Sequence, residues 1–292
     1  MKLFQKLSLI AIIALIFTSC GNSKQRSSNS ANRKKITIAF VNWSECIANT
    51  HLAKVALEAH GYQVDLINAD VAPVFEAVAN GDADVFMELW EPVTHKPYMD
   101  KFGDKVEQLG TIYKDGRLAL VVPEYVTIDS INQLNKCKDK FGGKIIGINP
   151  GAGIMRITNQ VIKDYGLNYQ LITSSEAGML AALKKAYDQK EWIVTTGWKP
   201  HTMFAKWNLK ILKDPKKVMG DAETISIIAT KGWAAKNPVA AAFFSNFKMN
   251  DDLLGTLMFQ VEAAPGKEDE AAKKWYEAHE KLVDGWFRKQ AN

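Results

Sequence analysis

The sequence predicts an α/β fold of two Rossmann-like lobes joined by two crossing strands, with a cleft between the lobes. Three observations carry this reading. From Ile36 onward, apolar strand-like runs alternate with amphipathic helical stretches, the pattern of βαβ units in a parallel sheet. The same five-element pattern occurs twice along the chain. In both occurrences the last strand runs into Trp-x-Pro, as Trp90-Glu91-Pro92 and as Trp198-Lys199-Pro200.

In the first unit, Ile36 to Val41 is strand-like, Ala48 to Ala59 helix-like, Gln63 to Ile67 strand-like, Val71 to Ala79 helix-like and Asp84 to Glu88 strand-like. The second unit repeats this with a strand from Lys144 to Ile148, a helix from Ala152 to Tyr165, a strand from Tyr169 to Ile172, a helix from Glu176 to Tyr187 and a strand from Trp192 to Thr196. Gly61 and Gly166 close the first helix of each unit. The apolar stretches Arg117 to Val122 and Thr224 to Thr230 flank the second unit and are placed to cross between lobes. The first lobe is therefore discontinuous, residues 36–117 and 222–292, and the second covers residues 118–221. Pro238 to Phe287 is helical in pattern, with Trp275, Leu282, Trp286 and Phe287 as a face to pack on the first lobe.

Composition agrees with two folded bodies of this size. Of 292 residues, 47% are hydrophobic and 24% charged, with 9 Pro and 19 Gly, which excludes disordered, collagen-like and disulfide-scaffold classes. The net charge of +5 is scattered, and no basic run is interleaved with aromatics, so no nucleic-acid partner is expected.

The N-terminus reads as a processed segment. Lys2 and Lys6 precede an apolar run from Leu7 to Phe17, followed by Thr18, Ser19 and Cys20, which is the layout of a signal peptide over residues 1–19. The run is too short for the roughly 20 residues of a spanning helix. Leu15 to Cys20 resembles a bacterial lipoprotein cleavage site, with Cys20 as the lipidated first residue; plain secretion with cleavage near Ser19 is the other reading. Residues 20–35 are rich in Ser, Asn, Lys and Arg and form a tether of roughly 20 Å, taking about 5 to 6 Å times the square root of its length. The expected location is the outer side of the cytoplasmic membrane or the periplasm. Cys46 and Cys137 remain, with pairing open in an exported protein. Neither belongs to a CxxC pair or a Cys/His cluster, so no metal site is expected.

Trp43 follows the first strand of the first unit, while Trp90 and Trp198 follow the third strand of each unit. Ligands of α/β sheets bind beyond the carboxyl ends of the strands, where all three rings would face the cleft. An indole face attracts a cation, and aromatic cages suit quaternary ammonium groups. A primary ammonium entering such a cage loses hydrogen bonds to water that a trimethylammonium never had. Three rings supply about 3 to 6 kcal/mol, whereas micromolar affinity needs about 8 kcal/mol, so a second anchor is required. GINPGAGIM from Gly147 supplies one, because the N–H groups of Gly151, Ala152, Gly153 and Ile154 stand at a helix N-terminus and are ready for an anion. His201 is either a further donor to that anion or a brace of the Trp198 turn. Glu45 either lines the cleft beside Trp43 or is a solvated loop carboxylate. His51 and His95 read as structural. A ligand with a trimethylammonium at one end and a carboxylate at the other fits both anchors.

At these motifs the sequence resembles the glycine betaine-binding proteins of bacterial ABC importers, the type with a type II periplasmic-binding fold. The likeness runs from Ile36 to Phe287 and rests on VNWSECIANTHL, DVAPVFEAVANGDADVF, LWEPVTHKPY, LALVVPEYV, KIIGINPGAGIM and TTGWKPHTMFAKWNLKIL. The resemblance implies an extracytoplasmic osmoprotectant receptor of monomeric body that delivers its ligand to a membrane permease with a cytoplasmic ATPase. Carried onto this chain, the aromatic box falls on Trp43, Trp90 and Trp198, and the carboxylate grip on the PGAG amides and His201. In some relatives the loop reads PGWG, with its Trp in the box; here that position is Ala152. Choline-binding relatives carry an acid at the place of Glu45, which keeps choline, carnitine and proline betaine open beside glycine betaine.

No GxSxG, HExxH or dinucleotide fingerprint is present, so neither an enzyme nor a cofactor is expected. The competing classes are a small-amine enzyme using Glu45 with His201, and a sensory receptor signalling through a separate membrane protein.

Overall fold

The computed structural model of the chain describes residues 34–288; the signal peptide, Cys20 and all but the last two residues of the tether lie outside them. The first unit consists of β1 (Lys35–Phe40), α1 (Ser44–Ala59), β2 (Gln63–Asn68), α2 (Val71–Asn80) and β3 (Val85–Glu91). A short helix α3 (Lys96–Phe102), the 18-residue strand β4 (Val106–Pro123) and a 3-10 helix over Ile131–Phe141 lead to the second unit. That unit is β5 (Lys144–Ile146), α4 (Gly153–Asp164), β6 (Gln170–Ile172), α5 (Glu176–Asp188) and β7 (Thr195–Lys199). There follow α6 (Met203–Lys206), β8 (Leu209–Ile211), β9 (Glu223–Thr230), α7 (Trp233–Lys236), α8 (Pro238–Asn246), α9 (Asp251–Glu262), α10 (Glu268–Ala278) and α11 (Glu280–Gly285).

The sheet order is β2-β1-β3-β9-β4-β7-β5-β6, with β8 also on β4. Within it the triplets 2-1-3 and 6-5-7 have the same form: the first strand of the unit is central and both neighbours run parallel to it. Both Trp-x-Pro corners contain a cis peptide, at Glu91-Pro92 and Lys199-Pro200. The recurrence read from the sequence is thus a repeat in three dimensions.

Local physics explains the elements. β1 carries Ile36 and Ile38 on one face and is covered on the other, so its central position buries nearly the whole strand. Each fully buried Ile or Phe of this kind contributes about 1.5–3 kcal/mol. In α4, Ile154, Ile157, Thr158 and Val161 recur at helical spacing and are all buried. α5 starts at Ser175, whose side chain accepts the Gly178 N–H at 3.1 Å. α2 ends at Gly81, which takes the left-handed conformation (φ 81°) open to a residue without Cβ.

Some boundaries differ from the sequence reading. β7 is Thr195–Lys199 instead of Trp192 to Thr196, because its long partnership is antiparallel with Arg117–Val121 of β4, while it meets β5 only at Ile146. β3 likewise runs on to Glu91 along β9. Trp90 and Trp198 are therefore on their strands, at the ends. α1 begins at Ser44, four residues earlier than its apolar pattern indicates. β4 crosses as expected, since Val106–Gly116 pair with β9 and Arg117–Pro123 with β7 and β8. β9 pairs along its length with β3 and the first part of β4, so the return passage is the segment before it, residues 212–222.

The C-terminal helices cover the first unit, with α9 and α10 on α1. Trp275 is fully buried and its ring N–H donates to Thr256 Oγ1 at 3.1 Å. Trp286 packs on Phe247 and Phe287 stacks on His60. Leu282 departs from the expected face and is 40% exposed, because the helix breaks at His279 (φ −124°) and α11 restarts the phase. His51 is structural: its Nδ1 lies 2.6 Å from Asp269 Oδ1, and Lys54 pairs with the same carboxylate, pinning α10 to α1. Cys46 and Cys137 are both free thiols.

Candidate functional site

Trp43 stands one turn past β1, Trp90 at the end of β3 and Trp198 at the end of β7, and the three rings line one small cavity. Their exposures are only 5%, 3% and 3%, so the walls are closed around it. Leu118 of β4 and Ile148 complete the apolar lining. Trp90 is held from both sides: its ring N–H donates to Glu88 Oε1 at 2.6 Å, and its edge lies where a Cβ on Gly116 would meet Cζ3 at 2.7 Å. Gly116 thus makes room for the ring.

The opposite wall is the start of α4. Ala152, Gly153 and Ile154 line the cavity, whereas Gly151 is exposed outside it, its carbonyl accepting the Tyr98 hydroxyl at 2.9 Å. Ala152 N–H is used in the turn, donating to Asn149 O at 3.0 Å, and Met155 N–H donates to Ala152 O. Among the described residues the N–H groups of Gly153 and Ile154 find no such partner, as expected of the first positions of a helix. Two amides aimed from a 12-residue helix are a site for an anionic group. The wall is pressed against the Trp90 corner: Arg156 donates to Val93 O at 2.9 Å, and Gly153 sits on the Thr94 carbonyl. Thr94 is itself fixed by Glu223, which accepts the N–H groups of Val93 and Thr94 at 2.8 and 2.9 Å and the Thr94 hydroxyl.

Glu45 lines the cavity and is buried, with Glu88 behind it. Burial, then the neighbouring charges of Glu88 and Glu176, push the Glu45 carboxyl well above the ordinary range. Burial likewise raises Glu88 to about 8, with the Trp90 ring N–H pulling the other way. Glu88 is thus mostly neutral near pH 7, and the surroundings of Glu45 disfavour its charged form. A sign follows for stability. The unfolded Glu88 ionises near 4.5 and the folded one near 8, so stability is full below about 4.5 and declines as pH rises toward 8. Glu88→Gln keeps an acceptor for Trp90 and should flatten that decline in melting temperature between pH 5 and 9; parallel melting curves for both proteins would contradict it.

The two histidines at the Trp corners differ in placement. His95 lines the cavity. Its Nδ1 accepts the Trp90 N–H at 3.0 Å, its ring stacks near Trp43 at 6.0 Å, and burial drives its pKa down to about 3, so it is neutral with the proton on Nε2. Among the described residues, Nε2 of His95 and the ring nitrogen of Trp43 are buried donors without a hydrogen-bond partner. His201 does not line the cavity. Its Nδ1 accepts the Met203 N–H at 3.0 Å, and its Nε2 lies 3.2 Å from Glu176 Oε1, an ion-pair contact off the line of a hydrogen bond. It packs edge-on against Trp198, with centroids 4.6 Å apart, so in this structure it braces that ring. Thr94, His95, Leu118 and Ile148 are cavity residues that the sequence reading missed; for the first two, VTHKP directly after the Trp-x-Pro corner is the available signal. Among the described residues no group of three or more His, Cys, Asp or Glu side chains is placed to hold a metal ion.

Comparison with known proteins places this geometry. The family model of the substrate-binding domain of ABC-type glycine betaine transport systems matches residues 34–278. The glycine betaine/carnitine transport binding protein GbuC of Listeria monocytogenes is 45% identical over 145 residues, which span 49% of this chain and 48% of that protein, about half its length. The crystal structure of lactococcal OpuAC, closed and liganded with glycine betaine, matches with a TM-score of 0.82 at 36% identity, covering 87% of this chain and 100% of that one. The glycine betaine/L-proline-binding protein ProX of Borrelia burgdorferi matches with a TM-score of 0.84 at 34% identity, covering 88% and 98%. The fold is that of the type II periplasmic binding proteins. With the whole of residues 34–278 matched, the chain belongs to the family of substrate-binding domains of ABC-type glycine betaine transport systems.

Proposed function

We propose that the protein captures glycine betaine outside the cytoplasm and delivers it to the permease of an ABC importer, without catalysing a reaction on it. The observation that carries this is one closed cavity with three indoles on one side and the two open amides of α4 on the other. The trimethylammonium lies among Trp43, Trp90 and Trp198, and the carboxylate takes the N–H groups of Gly153 and Ile154, while His201 braces Trp198 from behind. Residues 36–117 with 222–292 act as one lobe and residues 118–221 as the other. Trp43 and Trp90 then belong to the first lobe, Trp198 and α4 to the second, so the ligand bridges the two and favours their closure. Cys20 carries a lipid that tethers a monomeric body to the membrane; among the described residues no helix is long and apolar enough to cross one.

The burial that raises the Glu45 pKa distinguishes a zwitterion from a bare cation, because it disfavours the ionised carboxylate. Glycine betaine brings its own carboxylate and makes no demand for an ionised Glu45. Choline brings one uncompensated positive charge, which favours ionised Glu45 and so must displace a proton. Calorimetric titration at pH 7 should therefore show glycine betaine binding more tightly than choline, with choline gaining affinity as pH rises and glycine betaine staying flat. Tighter choline at pH 7 would transfer the second anchor to Glu45, and heat from neither ligand would remove the cage reading.

A further inference from the structure

Helix α1 has no cap of its own. Its N-cap residue is Trp43, whose side chain accepts nothing from the helix, although the 16-residue helix presents its first N–H groups at the edge of the cavity. The missing acceptor comes from the second unit, 132 residues away. Glu176, the first residue of α5, accepts the Ser44 N–H on Oε2 at 3.2 Å and the Ser44 hydroxyl on Oε1, and it is buried. The same carboxylate faces His201 Nε2 at 3.2 Å, behind Trp198.

We propose that Glu176 is a closure latch, a positioning residue that caps α1 from the opposite lobe and so holds the cavity shut around its ligand. The proposal rests on the ligand reading above for its binding assay. Ser44 lies between Trp43 and Glu45, and His201 rests on Trp198, so one carboxylate ties together the backs of two box rings that arrive from different lobes. Opening the lobes removes the acceptor from Ser44 and leaves the N-terminus of α1 to water. Charge-assisted hydrogen bonds of this kind are stronger than neutral ones, and the helix dipole adds to the attraction. Because the contact exists only when the lobes meet, it acts on the rate of release and not on the first encounter with ligand.

Stopped-flow tryptophan fluorescence with glycine betaine tests this on the full chain. Glu176→Gln and Ser44→Ala should each raise the dissociation rate about 10- to 100-fold and leave the association rate within about threefold. The double variant should lose less than the two single variants combined, since both act on the Ser44–Glu176 contact. Unchanged dissociation, additive losses, or a drop in association matched by a lower melting temperature of the ligand-free protein would each overturn the latch. Small-angle scattering without ligand judges it independently: both variants should be expanded relative to the parent, and identical radii overturn it. Failure of the parent protein to bind glycine betaine would instead strike the ligand reading, with the scattering result still deciding the latch.

Discussion

Trp198→Ala should weaken glycine betaine binding by about 2 kcal/mol or more, roughly 30-fold, as a desolvated cation loses one ring. The effect should exceed that of any polar lining residue, because Trp198, at the end of β7, is the one cavity-lining indole that comes from the second unit. Its removal takes away the apolar face that makes closure favourable as well as the attraction itself. Trp90→Ala should lose binding too, but with a lower melting temperature, since that ring is hydrogen-bonded to Glu88 and packed over Gly116. Calorimetry paired with thermal melting separates the two. Unaltered affinity in Trp198→Ala would take that residue out of the site.

Gly153→Ala should be as damaging with the addition of a single methyl group. A Cβ there would come well inside 3.0 Å of the Thr94 carbonyl, a separation that Cβ atoms essentially never show. Neither neighbour has freedom to retreat: Thr94 is fastened to Glu223 by its N–H and hydroxyl, and Gly153 opens α4. Overpacking costs about 1–3 kcal/mol, or about 10- to 100-fold in affinity. The clash lies at the contact between α4 and the Trp90 corner and not inside either core, so the protein should still fold while capture is lost. A variant that binds glycine betaine as tightly as the parent would show that closure does not bring α4 onto the Trp90 corner.

How far the sequence discloses these features follows from the range of the forces involved. β1, β2, β5 and β6 are short apolar runs whose pattern is local, and the recurrence of Trp-x-Pro marks the two ring-bearing corners. β4 is legible only from Arg117 onward, because Val106–Gly116 mixes Glu, Gln, Lys and Asp with apolar residues and its pairing with β9 is interrupted by register shifts. The early start of α1 is hidden for a different reason: its cap is supplied by Glu176, and nothing near Trp43 in the sequence announces it. His95 reads as structural from its position, yet the turn after Glu91-Pro92 folds it back so that it both accepts the Trp90 N–H and faces the cavity. Burial, a property of the whole fold, sets the protonation of Glu45, Glu88 and His95, and no spacing rule reports it.

The repeated units have a consequence for which ligands are admissible. The corner after the central strand carries an indole in one unit, Trp43 after β1, and the PGAG turn with the amides of α4 in the other, after β5. Topologically equivalent places thus offer a π-face to positive charge and N–H groups to negative charge. The cavity is a socket with polarity. A zwitterion can enter it in one orientation only, and a dication or a dicarboxylate of the same length meets one repelling pole whichever way it turns.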